Sequence, residues 1–157
     1  MSRTIPVAPV RRTLSVAAPP ARAFDVFTAE IGLWWPKSHH VSKVEPETVV
    51  IEPRAGGRWF ERAPDGAECD VGKVLAWEPP SRLLLAWQLD RSFQYQADLV
   101  TEVEVRFIAE GERATRVEFE HRKLEAFGEH AEAVRGRIGA PAGWPAILEL
   151  YARYANR

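Results

Sequence analysis

The chain has 157 residues, 46% of them hydrophobic and 27% charged, which is the size and composition of a single domain with one core and excludes a disordered chain. A formal net charge of -1 offers no global attraction for nucleic acid or acidic membrane surfaces, and no run approaches the roughly 18 apolar residues that a membrane helix needs. One cysteine, Cys69, excludes an internal disulfide and a cysteine-built zinc site, and reads as a small strand residue.

The N-terminal stretch MSRTIPVAPVRR lacks the apolar run and cleavage site of a secretory leader, so a cytoplasmic location is expected. Val10, Leu14 and Val16 mark a first strand over residues 10–17. Pro19 and Pro20 end it, and a proline is tolerated in the first turn of a helix. Phe24, Phe27 and Ile31 then recur at three and four residues, predicting a first helix over about 20–30. Gly32 separates it from a short LWW segment closed by Pro36, and the polar tract KSHHVSKVEPE reads as a loop.

Residues 47–53, 57–62, 68–78 and 81–89 alternate or run apolar between turn signals, which predicts a meander of short antiparallel strands. A polar loop spans Asp90 to Asp98. In TEVEVRF, Val103, Val105 and Phe107 share one face against Glu102, Glu104 and Arg106. In TRVEFEH, Val117, Phe119 and His121 fall together, so the two strands form a hairpin. The charged stretch from Arg122 to Ala142 is a loop or short helix, able to edge or cover a cavity. From Gly143 onward, Trp144, Ile147, Leu148 and Tyr151 repeat at helical spacing behind Pro145 and predict a long C-terminal helix. The order predicts an α+β domain over residues 1–157, with helices gathered on one side of an antiparallel sheet.

Several segments in this order resemble a known superfamily. VAAPPARAFDVF at Val16–Phe27 resembles the strand, proline and first-helix opening of the START-like (SRPBCC) proteins, which include polyketide cyclases. GGRWF at Gly56–Phe60 and GKVLAWEP at Gly72–Pro79 look like central strands of its branch of heat-shock ATPase activator homologues. TRVEFEH and GWPAILELY, beginning at Thr115 and Gly143, resemble that branch's last strand and terminal helix. The resemblance implies a helix-grip fold: a curved sheet of about seven strands around a long C-terminal helix, with short helices between the first two strands and a cavity beneath. It implies no single chemistry, since such domains bind ligands, catalyse cyclisation or hydrolysis, or serve other roles. An ATPase-activating role is not expected to carry over, because the additional N-terminal domain of a full co-chaperone is not in this sequence.

Six tryptophans exceed what a minimal core needs, and Trp59, Trp87 and Trp144 are expected to wall a pocket for a small hydrophobic or aromatic molecule. Tyr95 or His121 would orient one polar group of that ligand. His121 is also the candidate general base of an enzyme alternative, a cyclase, dehydratase or hydrolase, although its place near a strand end better fits a solvent-facing or simply hydrogen-bonded histidine. Arg58, Arg62 and Gln88 are further polar candidates; parity puts Arg58 opposite Trp59, and exposure is expected for it unless a bulge shifts the phase. His39, His40 and His130 lack the spacing of a zinc motif, and neither metal nor other cofactor is expected. Glu102 and Glu104 read as solubility residues on an exposed strand face. The short basic run at His121–Lys123 gives nucleic-acid binding no support. A protein-interaction module related to chaperone regulation is a third reading, and a homodimer through an edge strand or an aromatic face is compatible with the pattern.

Overall fold

Seven strands form one antiparallel sheet: β1 (Val10–Val16), β2 (Thr48–Ile51), β3 (Arg58–Arg62), β4 (Glu68–Glu78), β5 (Arg82–Trp87), β6 (Thr101–Ala109) and β7 (Thr115–Arg122). The structure, a computed structural model, describes residues 7–157; residues 1–6, the start of the stretch expected to hold no leader, lie outside the described residues. The spatial order is β1-β7-β6-β5-β4-β3-β2, so the first two strands of the chain form the two edges of the sheet. Between them run α1 (Pro20–Phe27) and α2 (Ile31–Trp34); α3 (Ala131–Ile138) and α4 (Trp144–Ala155) follow the sheet.

The expected parity holds along the hairpin. Val103, Val105 and Phe107 on β6, with Val117, Phe119 and His121 on β7, are all buried, as two-residue alternation requires. Their covering element is α4, whose Trp144, Ile147, Leu148, Tyr151 and Ala155 form one buried stripe. Fully burying a large apolar side chain contributes about 1.5–3 kcal/mol, so this stripe is what holds the helix to the concave face. Pro145 stands in the first turn, where its missing amide hydrogen costs nothing, and Gly143 precedes it because a Cβ there would lie 2.3 Å from the Ile138 carbonyl oxygen.

Two irregularities in β4 curve the sheet around α4. The register shifts once opposite Trp59/Phe60 and again between Val74 and Ala76, each inserting one residue on the β4 side. Such bulges increase local twist and bend the strand. Gly72 sits at the first, where a Cβ would meet the Ala86 carbonyl oxygen at 1.7 Å. The close approach of β4 to β5 at this point therefore depends on glycine.

The stretch after β7 takes the short-helix form of the two expected for it: a 3-10 segment, Leu124–His130, leads into α3. Two expectations need correction. The first helix stops at Phe27, where the Thr28 hydroxyl bonds back to the Phe24 carbonyl at 2.8 Å, and Gly32 lies inside a separate turn of helix, α2, that Trp35 caps. Glu104 is not a solvated surface residue, being only 7% exposed. Arg82, Arg106 and Arg122 lie over it at 2.6, 3.1 and 3.1 Å on the convex face. Burial alone would raise its carboxyl, but hydrogen bonds from Arg82 and Arg106 and the Arg122 charge outweigh it and hold the group below the usual carboxylate range. Long arginine side chains lying flat along a strand face can bury what a simple alternation rule exposes.

Candidate functional site

Beneath the N-terminal end of α4 the concave side is not filled. A cavity of about 350 Å³ lies between the sheet, α4 and the loop after α2, within the usual size range of small-molecule sites. Each principal wall comes from a different element: Trp59 from β3, Trp87 from β5, Trp144 from α4 and Trp35 from the end of α2. These four indoles form a closed cycle. Trp35 meets Trp59 at 6.0 Å, Trp59 meets Trp87 at 5.6 Å, Trp87 meets Trp144 at 5.4 Å and Trp144 returns to Trp35 at 5.9 Å. Every contact is edge-to-face, the arrangement favoured by the aromatic quadrupole, so each ring is braced by two others.

The strands explain which tryptophans turn inward. On β3, Trp59 and Glu61 face the cavity, while Phe60 lies on the outer side beneath Arg58 and Arg62, whose guanidinium carbons are 4.2 and 5.4 Å from its ring centre. Arg58 also pairs with Glu68 and Asp70, so both arginines belong to the outer face, and the bulge opposite them falls on β4 without changing the phase of β3. The indole N–H of Trp59 is buried without an acceptor among the described residues.

His121 lies behind the tryptophan cycle and does not line the cavity. Its Nδ1 accepts a hydrogen bond from Trp144 Nε1 at 3.0 Å, which places the proton of the neutral ring on Nε2. Nε2 then donates to Thr101 Oγ1 at 2.8 Å, and that hydroxyl donates to the Trp87 carbonyl at 3.0 Å. Complete burial pushes the imidazole down to about 3 and keeps it neutral. Both nitrogens are occupied, so His121 is the hydrogen-bonded histidine of the two alternatives and not the candidate general base: it ties the Trp144 side chain, through Thr101, to the Trp87 backbone.

Tyr95 also departs from expectation. It is 38% exposed and lies outside the cavity wall, because an isolated bridge to Leu89 and two amide bonds to Asp90 fold the 90–98 loop back on itself. Phe93 from the same loop lines the cavity instead. Gln88 is buried and fastens the loop through Ala97 without reaching the cavity.

Polar groups gather at the rim. Buried Glu61 accepts the Val41 and Ser42 amides at 2.6 and 3.1 Å, and so holds the loop after α2 over the opening. His40 Nδ1 donates to the Ser42 carbonyl at 2.6 Å. His39 spans to the turn before α4, with Nε2 donating to the Ala142 carbonyl at 2.7 Å and Nδ1 accepting from Ser38 Oγ at 2.9 Å. On α3, Arg137 donates to the Arg91 carbonyl at 2.6 Å and borders the cavity. Sequence reasoning weighed His39 and His40 only as metal ligands. Among the described residues no group of three histidine, cysteine or carboxylate side chains is placed to hold a metal ion.

Comparison with known proteins agrees with this architecture. The model of the family described as "Activator of Hsp90 ATPase homolog 1-like protein" matches residues 17–155. The chain belongs to this family. Among solved structures, the anthrahydroquino-γ-pyrone synthase Txn09 is 36% identical, with a TM-score of 0.65 over 94% of this chain and 97% of that one. The self-sacrificing resistance protein CalC from Micromonospora echinospora is 31% identical, with a TM-score of 0.71 over 94% and 93%. The Aha1 dimer from Colwellia psychrerythraea shares the fold at 14% identity, with a TM-score of 0.61 over 96% and 97%. No curated protein matches the chain. This family member therefore has the START-like helix-grip fold, and no helix among its described residues is long and apolar enough to cross a membrane.

Proposed function

We propose that this family member binds a rigid aromatic small molecule in the tryptophan-lined cavity. The observation that carries the reading is the closed cycle of four edge-to-face indoles beside about 350 Å³ of unfilled space. Indoles braced against one another lose little freedom when a ligand enters, so the site is organised before binding. The two relatives above 30% identity cover nearly all of this chain, and one is named for a fused aromatic skeleton. That synthase also supports a second reading, in which the bound molecule reacts in the cavity.

The test is calorimetric titration with 1,2-dihydroxyanthraquinone. The expected result is saturable one-to-one binding, weakened about tenfold in Trp35→Ala, the loss typical of removing an aromatic anchor. Absence of saturable heat up to the solubility limit of the probe overturns the reading.

A further inference from the structure

We infer that His40 is the cavity's proton acceptor and that its ligand presents an acidic hydroxyl to His40 Nε2. The inference rests on the aromatic-ligand reading and adds the ligand's chemistry and the residue that meets it.

Three histidines stand in or behind the cavity wall, and their hydrogen bonds separate them. His121 has both nitrogens occupied, by Trp144 and Thr101, and is fully buried. His39 also has both occupied, by Ala142 and Ser38. His40 alone uses one: Nδ1 donates to the Ser42 carbonyl, which leaves the lone pair of the neutral ring on Nε2, and Nε2 has no partner among the described residues. His40 lines the cavity and is half-buried.

The ring is also held in place. Ser42 carries the carbonyl that fixes the tautomer, and its own amide is bound by Glu61, which binds the Val41 amide as well. A buried carboxylate thus orients the imidazole through one turn of backbone. Orientation of a histidine by a group on its far nitrogen is what allows the near nitrogen to work as a base. Glu61 is accordingly a positioning residue.

The titratable and charged groups lining the cavity with His40 are His39, Glu61 and Arg137. Glu61 faces two amides of the loop, and Arg137 brings a permanent positive charge to the same cavity. When the ligand hydroxyl gives up its proton, the O–H bond breaks and an N–H bond forms at Nε2. The electron pair stays on oxygen, and the resulting oxyanion lies in a cavity bordered by imidazolium and guanidinium. No oxidant or other co-reactant is required.

Two probes sharing one ring system separate this inference from the reading beneath it: 9,10-anthraquinone, which has no hydroxyl, and 1,2-dihydroxyanthraquinone, whose visible absorption moves to longer wavelength on ionisation. The wild-type protein is expected to bind the dihydroxy compound about tenfold more tightly, the worth of one charge-assisted hydrogen bond, and to shift its absorption at a pH where the free probe is neutral. In His40→Gln, which can accept a hydrogen bond but not a proton, the red shift disappears and the preference falls to about threefold or less. Retained saturable anthraquinone binding in this variant shows that its cavity is intact. If both probes bind but His40→Gln keeps the red shift and the preference, His40 is not the acceptor and the aromatic-ligand reading stands. If neither probe binds the wild-type protein, that reading falls and the inference falls with it.

Discussion

The concave face has two aromatic ends that differ in what their rings enclose. At one end Phe24, Phe27, Trp34, Phe107 and Tyr151 pack on one another at 5.1 to 6.1 Å between ring centres. At the other, the four cavity tryptophans meet at 5.4 to 6.0 Å, nearly the same spacing. Both groups close on themselves, the first through Phe27, Trp34 and Tyr151, but only the tryptophans do so beside open volume. Aromatic density and connectivity alone therefore do not mark a binding site; the unfilled space beside the rings does.

Shortening one ring at each end tests this contrast most strongly. Phe27→Ala is expected to cost about 3–5 kcal/mol in urea unfolding, because it opens a hole in a filled region. Trp35→Ala is expected to cost about 1–2 kcal/mol, because this half-buried indole already borders empty space. Equal losses would mean that the cavity end is as tightly filled as the other.

A smaller effect concerns the histidine behind the open end. His121 ordinarily titrates at 6.5 but is held down to about 3 by burial, so between these values the unfolded chain takes up a proton that the folded chain refuses. Stability from this source is fully present above 6.5 and fades as pH falls, by about 2 kcal/mol at pH 5. His121→Gln, which can make both hydrogen bonds but does not titrate, should flatten that part of the pH profile measured by chemical denaturation. A profile parallel to wild type would remove His121 as the source. The smallest effect is expected at Tyr95: Tyr95→Phe should change stability by less than about 0.5 kcal/mol and leave the affinity for 1,2-dihydroxyanthraquinone unaltered, because the ring stands outside the wall.

Regular elements were legible in the sequence where one face repeats. Val103, Val105 and Phe107, the matching set on β7, and the Trp144 to Tyr151 stripe were assigned from period alone, and the quoted segments pointed to the helix-grip family. Three of the proposed wall residues, Trp59, Trp87 and Trp144, do line the cavity. Trp35, His40 and Arg137 could not be assigned to it in the same way. Trp35 and His40 come from irregular backbone, where side-chain direction depends on distant bonds such as those from Glu61, and Arg137 is a charged residue outside the buried stripe of α3, Ala131, Val134 and Ile138. Glu104 was misread for a related reason: alternation specifies a face but not what long neighbouring side chains lay over it.

The placement of β1 and β2 at opposite edges also orders assembly on the ribosome. The strands from β2 to β7 pair with their immediate neighbours in sequence, so that meander can form as it emerges. Among the described residues β1 pairs only with β7, Val10 meeting His121 and Val16 meeting Thr115, and so waits unpaired until about a hundred later residues have been made. The cavity is completed later still, because Trp144 follows β7 in the chain. Synthesis therefore leaves the aromatic concave face uncovered until α4 has been made, and nascent chains stalled before α4 are the species most exposed to aggregation.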